Sequence, residues 1–70
     1  MLNGETDRDK PLRRAIEVAG SIAALAKAIG INRQAVSGWR RVPVERAPAV
    51  EMVTGIPRRE LRPDFPWGSR

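Results

Sequence analysis

Apolar positions along this chain follow a helical rhythm rather than an alternating one. Leu12, Ala15, Ile16 and Ala19 share one face at 3.6-residue spacing, while Arg13, Arg14 and Glu17 lie outside it. Asp9 is placed to cap this segment, and Pro11 fits its first turn, where a missing N–H costs nothing. With Gly20 as the stop, the spacing predicts a helix over 10–19. Ser21 is a good N-cap for a second helix with Ile22, Leu25, Ala26 and Ile29 inward. Gly30 ends it in the left-handed conformation that glycine enters cheaply. Asn32 caps a third helix over 33–41, with Val36 and Trp39 inward and Ala35 assisting. Gly38 falls inside that span at a cost of about 1 kcal/mol relative to Ala, either for a close approach or by mere tolerance.

Val42-Pro43 breaks the chain. A fourth helix over 45–54 carries Pro48 in its first turn, buries Ala47, Val50 and Val53, and ends at Gly55. Pro57 to Leu61 can add one further turn. No segment reads as a strand, so the expected fold is all-α, a compact domain of four to five helices. Residues 1–9, with Gly4 and closely spaced charges, read as a flexible N-terminal arm. Residues 10–62 form the domain, and the Pro-rich stretch 63–70 is a tail without regular structure.

Composition narrows the chemistry. Seventy residues suffice for one small domain, near the lower limit for a core without staples. Cys and His are both absent, which removes disulfides, thiolate and imidazole metal ligands and the usual general base. Eight carboxylates are scattered among basic residues, and nothing pairs them for catalysis. No enzyme activity, metal or cofactor is expected. Thirteen Lys and Arg against eight Asp and Glu give a net charge of +5, which favours a polyanionic partner. No apolar run approaches the ~20 residues that span a bilayer, and the N-terminus is unlike a signal peptide. A soluble cytoplasmic protein is expected.

The segment 21–41 adds a geometric signature. Two helices that cross tightly at a turn need a small residue four places before the turn glycine, and Ala26 precedes Gly30 by four. Leu25, Ile29, Ile31, Val36 and Trp39 stand where such a helix-turn-helix unit needs core contacts. The simpler alternative is a generic helical hairpin, because Ala-x-x-x-Gly alone is common. The whole set in one basic chain points to double-stranded DNA. Arg33 and Gln34, basic and polar, open the third helix, with Ser37 one turn further along the same face.

Gly30-Ile-Asn-Arg-Gln-Ala-Val-Ser-Gly-Trp-Arg resembles the turn and recognition helix of the Cro family of phage and prophage repressors. Trp39-Arg-Arg-Val-Pro43, Glu45-Arg-Ala-Pro, Thr54-Gly55 and Leu61-Arg-Pro-Asp64 resemble the YdaS-like group within it, short bacterial regulators often labelled antitoxins. The resemblance covers residues 10–67. It implies a Cro/repressor-like domain that binds operator DNA as a homodimer, with Arg33, Gln34, Ser37 and Gly38 toward the bases. Gly38 stands where relatives can carry a base-contacting side chain, so a contact is missing or the helix sits deeper. Ser21, Ile22, Lys27, Asn32, Arg40 and Arg41 are the phosphate candidates. Relatives often carry Gln where Ile22 stands, which shifts that task to Ser21 and the backbone amides. Arg40 and Arg41 also suit a helix C-terminus through its dipole.

Three aromatic residues leave alternatives open. Trp39 at inner-face spacing belongs to the core, the rival role being stacking on DNA. Phe65 and Trp67 either fold back over the domain or anchor a second subunit or another protein. The leading functional expectation is a sequence-specific regulator, most simply a repressor. Its rival is an antitoxin that neutralises a toxin protein through the tail or fourth helix.

Overall fold

The computed structural model describes residues 8–68. Among them every regular element is helical: α1 (Lys10–Ala19), α2 (Ile22–Ile29), α3 (Arg33–Ser37), a 3₁₀ turn (Val44–Arg46), α4 (Ala47–Thr54) and α5 (Arg58–Leu61). The all-α expectation and the count of helices hold, and α1 has the predicted bounds.

Side-chain caps set three helix starts. Asp9 Oδ1 accepts from the Leu12 N–H at 3.1 Å, Ser21 Oγ from Ala24 at 3.0 Å and Asn32 Oδ1 from Gln34 at 2.8 Å. Each such cap stabilises its helix by about 1 kcal/mol, because it satisfies a donor that the helix itself leaves unpaired. Pro48 lies in the first turn of α4, where its missing donor does no harm. Thr54 closes α4: its hydroxyl donates to the Val50 carbonyl at 2.8 Å and accepts from the Ile56 N–H at 3.1 Å.

Every helix sends at least one side chain into a single core. Leu12 and Ala15 come from α1, Leu25 and Ala26 from α2, Val36 from α3, Ala47 and Val50 from α4, and Leu61 from α5. Val42 and Ile56 join from the connections. Burying a side chain of the Leu or Val size is worth roughly 1.5–3 kcal/mol, so this cluster is the main source of stability in a chain without cross-links. Ile22, Ile29, Ile31, Trp39, Val53 and Trp67 pack around it, half-buried. Trp39 therefore joins the core, as its spacing predicted. Trp67 folds back, its Nε1–H donating to the Arg62 carbonyl at 3.0 Å, while Phe65 stays 40% exposed.

Several sequence expectations change. α3 ends at Ser37, not near 41, and Gly38 is its closing residue rather than an interior one. The chain tightens there, with the Trp39 N–H donating to the Val36 carbonyl at 3.0 Å. Trp39, Arg40 and Arg41 then form a connection that carries Val42 into the core. Ala35 is exposed, because Val36 alone occupies the inward position of so short a helix. The predicted helix over 45–54 divides into the 3₁₀ turn and α4. Arg8 and Asp9, expected in the N-terminal arm, are part of the packed domain: Arg8 is 9% exposed and the Asp9 N–H donates to the Arg40 carbonyl at 2.9 Å. The arm's other residues, 1–7, lie outside the described residues.

Candidate nucleic-acid interface

The turn between α2 and α3 is fixed by its hydrogen bonds. The Ile31 N–H donates to the Ala26 carbonyl at 3.0 Å, and the Gly30 N–H lies 2.9 Å from Ala26 O and 3.2 Å from Lys27 O. This is a Schellman closure, which requires a left-handed residue; Gly30 adopts φ 82° and ψ 30°. The accompanying apolar residue is Ile31, packed on the core. Ala26 is 1% exposed, small enough for α2 to sit close against its neighbours. Turn and cap together set the angle at which α3 leaves α2.

That angle opens a groove of about 1000 Å³ between α1, the start of α2 and the outer face of α3. Arg33, Gln34 and Ser37 line its α3 wall; Gly20, Ser21, Ile22 and Ala23 line the α2 end; Arg8, Arg13, Ile16 and Glu17 complete it. Arg33, Gln34 and Ser37 are exposed. Among the described residues, none of their side chains makes a hydrogen bond or an ion pair. Three guanidinium groups against one carboxylate make this a cationic concavity.

The phosphate candidates divide. Ser21 and Ile22 line the groove, with the Ser21 hydroxyl engaged as the α2 cap. Ala24 donates to Ser21 Oγ and Leu25 to the Ser21 carbonyl, while the Ile22 and Ala23 amides, at the positive end of α2, have no hydrogen-bond acceptor among the described residues; both residues line the groove. Asn32 is exposed, but its side-chain oxygen is occupied by the Gln34 N–H. Lys27, Arg40 and Arg41 are exposed outside the groove lining. Arg41 is shared by Asp9 at 3.7 Å and Asp64 at 3.6 Å. Gly38 also lies off the lining. A Cβ built there would meet only the Gln34 and Ala35 carbonyls, at 3.7 and 3.8 Å, ordinary contact distances. No close approach among the described residues explains this glycine.

Arg8 is the groove residue that sequence reasoning missed. Its guanidinium donates to the Ser37 carbonyl at 2.9 Å, while its buried Nε has no partner among the described residues. Twenty-nine positions separate the pair, so no local pattern announces the contact.

Around the C-terminal tail, Arg41, Arg58 and Arg62 are engaged internally, whereas Arg59 has no ion pair among the described residues. Arg62 grips Asp64 with two donors at 2.9 and 2.7 Å, and its third nitrogen donates to the Val42 carbonyl at 3.1 Å. The hydrogen-bonded Arg62, assisted by the Arg41 charge, pulls the Asp64 carboxyl from its usual 3.8 down to about 2, and Asp64 in turn raises the Arg62 pKa. Arg58 bonds Glu51 at 2.6 Å, lowering the Glu51 pKa, and its guanidinium lies 5.5 Å from the centre of the Trp67 ring. The Phe65 and Trp67 rings lie 4.5 Å apart.

Residues 12–70 match the family described as "Bacterial toxin YdaS". The chain belongs to the YdaS family. That description names a toxin, whereas the sequence resemblance implied antitoxins. Two relatives of this YdaS-family chain are similar to it over most of its length. It is 36% identical over 61 residues to the "Putative transcriptional regulator YdaS" of Escherichia coli (strain K12), covering 79% of this chain and 62% of that relative. It is 35% identical over 68 residues to the "Gene 30 protein" of Enterobacteria phage phi80, covering 90% and 93% of the two chains. Among solved structures, the Cro protein from the "putative prophage element Xfaso 1" in Xylella fastidiosa strain Ann-1 superposes with a TM-score of 0.75 at 39% identity. That match covers 87% of this chain and all of the other. The compact Cro-type fold expected from sequence is thus the fold observed. Among the described residues, no helix is long and apolar enough to cross a membrane.

Proposed function

We propose that this chain is a DNA-binding transcriptional regulator that represses by occupying an operator as a homodimer, with α3 in the major groove. One observation carries the reading: exposed Arg33, Gln34 and Ser37, whose side chains have no partner among the described residues, share a cationic groove with the amide end of α2. A helix N-terminus offers phosphate a dipole and free donors, while an adjacent helix face offers side chains to base edges. The Cro-type likeness and the regulator named among the relatives support the same reading.

In this reading Arg33 bonds guanine, Gln34 pairs with adenine and Ser37 follows one turn along. Gly38 lets the helix end come close to the bases without a contact of its own. The backbone at Ser21 and Ile22 holds one phosphate. Lys27, Asn32 and Arg40 reach flanking phosphates through the backbone-tracking role of surface cations and amides. Arg41 contributes less, because Asp9 and Asp64 already neutralise it. A mobility shift with promoter DNA from the gene's own neighbourhood tests the reading. Sequence-selective binding that Arg33→Ala weakens is the expected result; equal affinity for any duplex, unaltered by Arg33→Ala, would refute it.

A second reading, a toxin–antitoxin role through a protein partner, is favoured by the family's description and by Met52 and Phe65, which are 84% and 40% exposed. Leu61 is core, so trimming the chain from that residue would unfold it. Met52→Ser with Phe65→Ser is the sound probe. If co-expression with the neighbouring gene product reveals toxicity that this double variant alters and Arg33→Ala does not, the partner reading prevails.

A further inference from the structure

We propose that Arg8, just ahead of α1, is a positioning residue for α3: it holds the carbonyl end of the DNA-facing helix and so fixes where Arg33, Gln34 and Ser37 stand. The proposal rests on the DNA-facing reading of α3 given above.

A helix of five residues barely exceeds one turn, and isolated helices of that length do not persist in water, because nucleation is unfavourable. Something else must therefore hold α3. Its start has the Asn32 cap and its middle has the buried Val36. Its end carries no basic residue of its own to complement the exposed carbonyls. Arg8 supplies that charge from outside, donating to the Ser37 carbonyl at 2.9 Å. The neighbouring Asp9 N–H donates to the Arg40 carbonyl at 2.9 Å. Two consecutive residues thus strap both sides of the turn that ends α3.

The burial of Arg8 argues against a passive surface contact. An arginine that is only 9% exposed, with a buried Nε unpartnered among the described residues, is disfavoured by desolvation. A polar side chain of ordinary placement at that position would reach into water instead. What the buried arginine gains is a charge-assisted bond to a short helix whose last turn has no basic residue of its own. Arg8 also lines the groove beside Arg33 and Ser37, so a direct phosphate contact is the competing role. The two roles leave different signatures. A phosphate contact weakens all duplexes alike and makes the salt dependence shallower when removed. A positioning residue lowers the preference for the right sequence and leaves the salt slope alone.

The test uses the full chain with Arg8→Met, which keeps length and removes donors and charge, and Arg8→Lys, which keeps the charge. Affinity is measured across salt for a duplex the wild type selects from a random pool and for a scrambled duplex. Amide exchange is measured at Gly38 and Trp39, whose N–H groups bond the Gln34 and Val36 carbonyls, with α2 amides as internal reference. Arg8→Met is expected to weaken the selected duplex about ten-fold or more, to weaken the scrambled duplex far less with little change in the salt slope, and to speed exchange at Gly38 and Trp39 about ten-fold. Arg8→Lys should fall between it and the wild type, and it carries the same readouts should Arg8→Met not fold. Equal losses on both duplexes with a slope shallower by about one would make Arg8 a phosphate contact and overturn the proposal. Unchanged exchange at Gly38 and Trp39 would also overturn it. A wild type that selects no duplex would end the functional reading instead, and exchange alone would then decide whether Arg8 holds α3.

Discussion

The groove face and the tail face of this domain handle the same excess of positive charge in opposite ways. On the tail face Arg58 is bonded to Glu51, Arg62 to Asp64 and Val42, and Arg41 to Asp9 and Asp64, with Arg59 the cation there that has no ion pair among the described residues. On the groove face Arg13 and Arg33 have no ion pair among the described residues, and Gln34 and Ser37 offer unengaged side chains. The first arrangement fastens the end of the chain to its core. The second leaves donors oriented by short, capped helices and available to a partner. Net charge alone does not distinguish the two faces; the division of partners does.

Removing the core that both faces share has the largest expected effect. Leu25→Ala empties a fully buried position of α2 and should destabilise by about 2–5 kcal/mol. A domain of this length has roughly 4–10 kcal/mol in total, so urea unfolding should show a marginal or unfolded protein. Next comes the contrast between the faces. Arg33→Ala should leave the melting transition within about 0.5 kcal/mol of wild type yet lower duplex affinity by about 1–3 kcal/mol. Arg62→Met should do the reverse, losing about 1–2 kcal/mol of stability with duplex affinity intact, since it removes the bond to the Val42 carbonyl and the paired bonds to Asp64. Thermal melts and mobility shifts on both variants check the crossing pattern; two variants that behave alike would erase the distinction.

A smaller effect follows from Asp64. Its folded-state pKa, about 2, lies below the value near 3.9 of an unfolded chain, so the unfolded state binds the proton more readily. The stabilisation is complete above about pH 4 and is lost as pH falls from there toward 2. Asp64 is well exposed, so the change in melting temperature over that window should be modest, salt-sensitive and absent in Asp64→Asn. The smallest effect belongs to Gly38→Ala. The backbone there has φ −84° and room for a Cβ, so stability should be unchanged or higher by at most about 1 kcal/mol. A tenfold loss of duplex affinity in that variant would locate a close approach of DNA at the end of α3.

How much of this was legible in the sequence depended on whether the determinant was local. Asp9, Ser21 and Asn32 act on amides two or three residues away, and Gly30 on its own backbone, so the helix starts and the turn could be read directly. The fold class and the helix-turn-helix spacing followed from these. The end of α3 was misread because Trp39 continues the apolar period of Val36. The chain keeps Trp39 against the core by a tighter turn after Gly38 rather than by more helix. Val42, Ile56 and Leu61 are core residues set among prolines and charges, where no period surrounds them to mark them as buried. Within the groove, Arg33, Gln34, Ser37, Ser21 and Ile22 were anticipated and are brought together. Arg8 was not, because its contact with Ser37 exists only after the helices pack.

The central claim is that one face of the domain, the groove, receives DNA. Its most direct test is a backbone-amide NMR titration of the full chain with the duplex it selects. The account predicts shifts concentrated at Gly20–Ala23 and Asn32–Gly38, with the amides of Arg58–Gly68 undisturbed. Shifts concentrated on the tail, with the α3 amides silent, would contradict it.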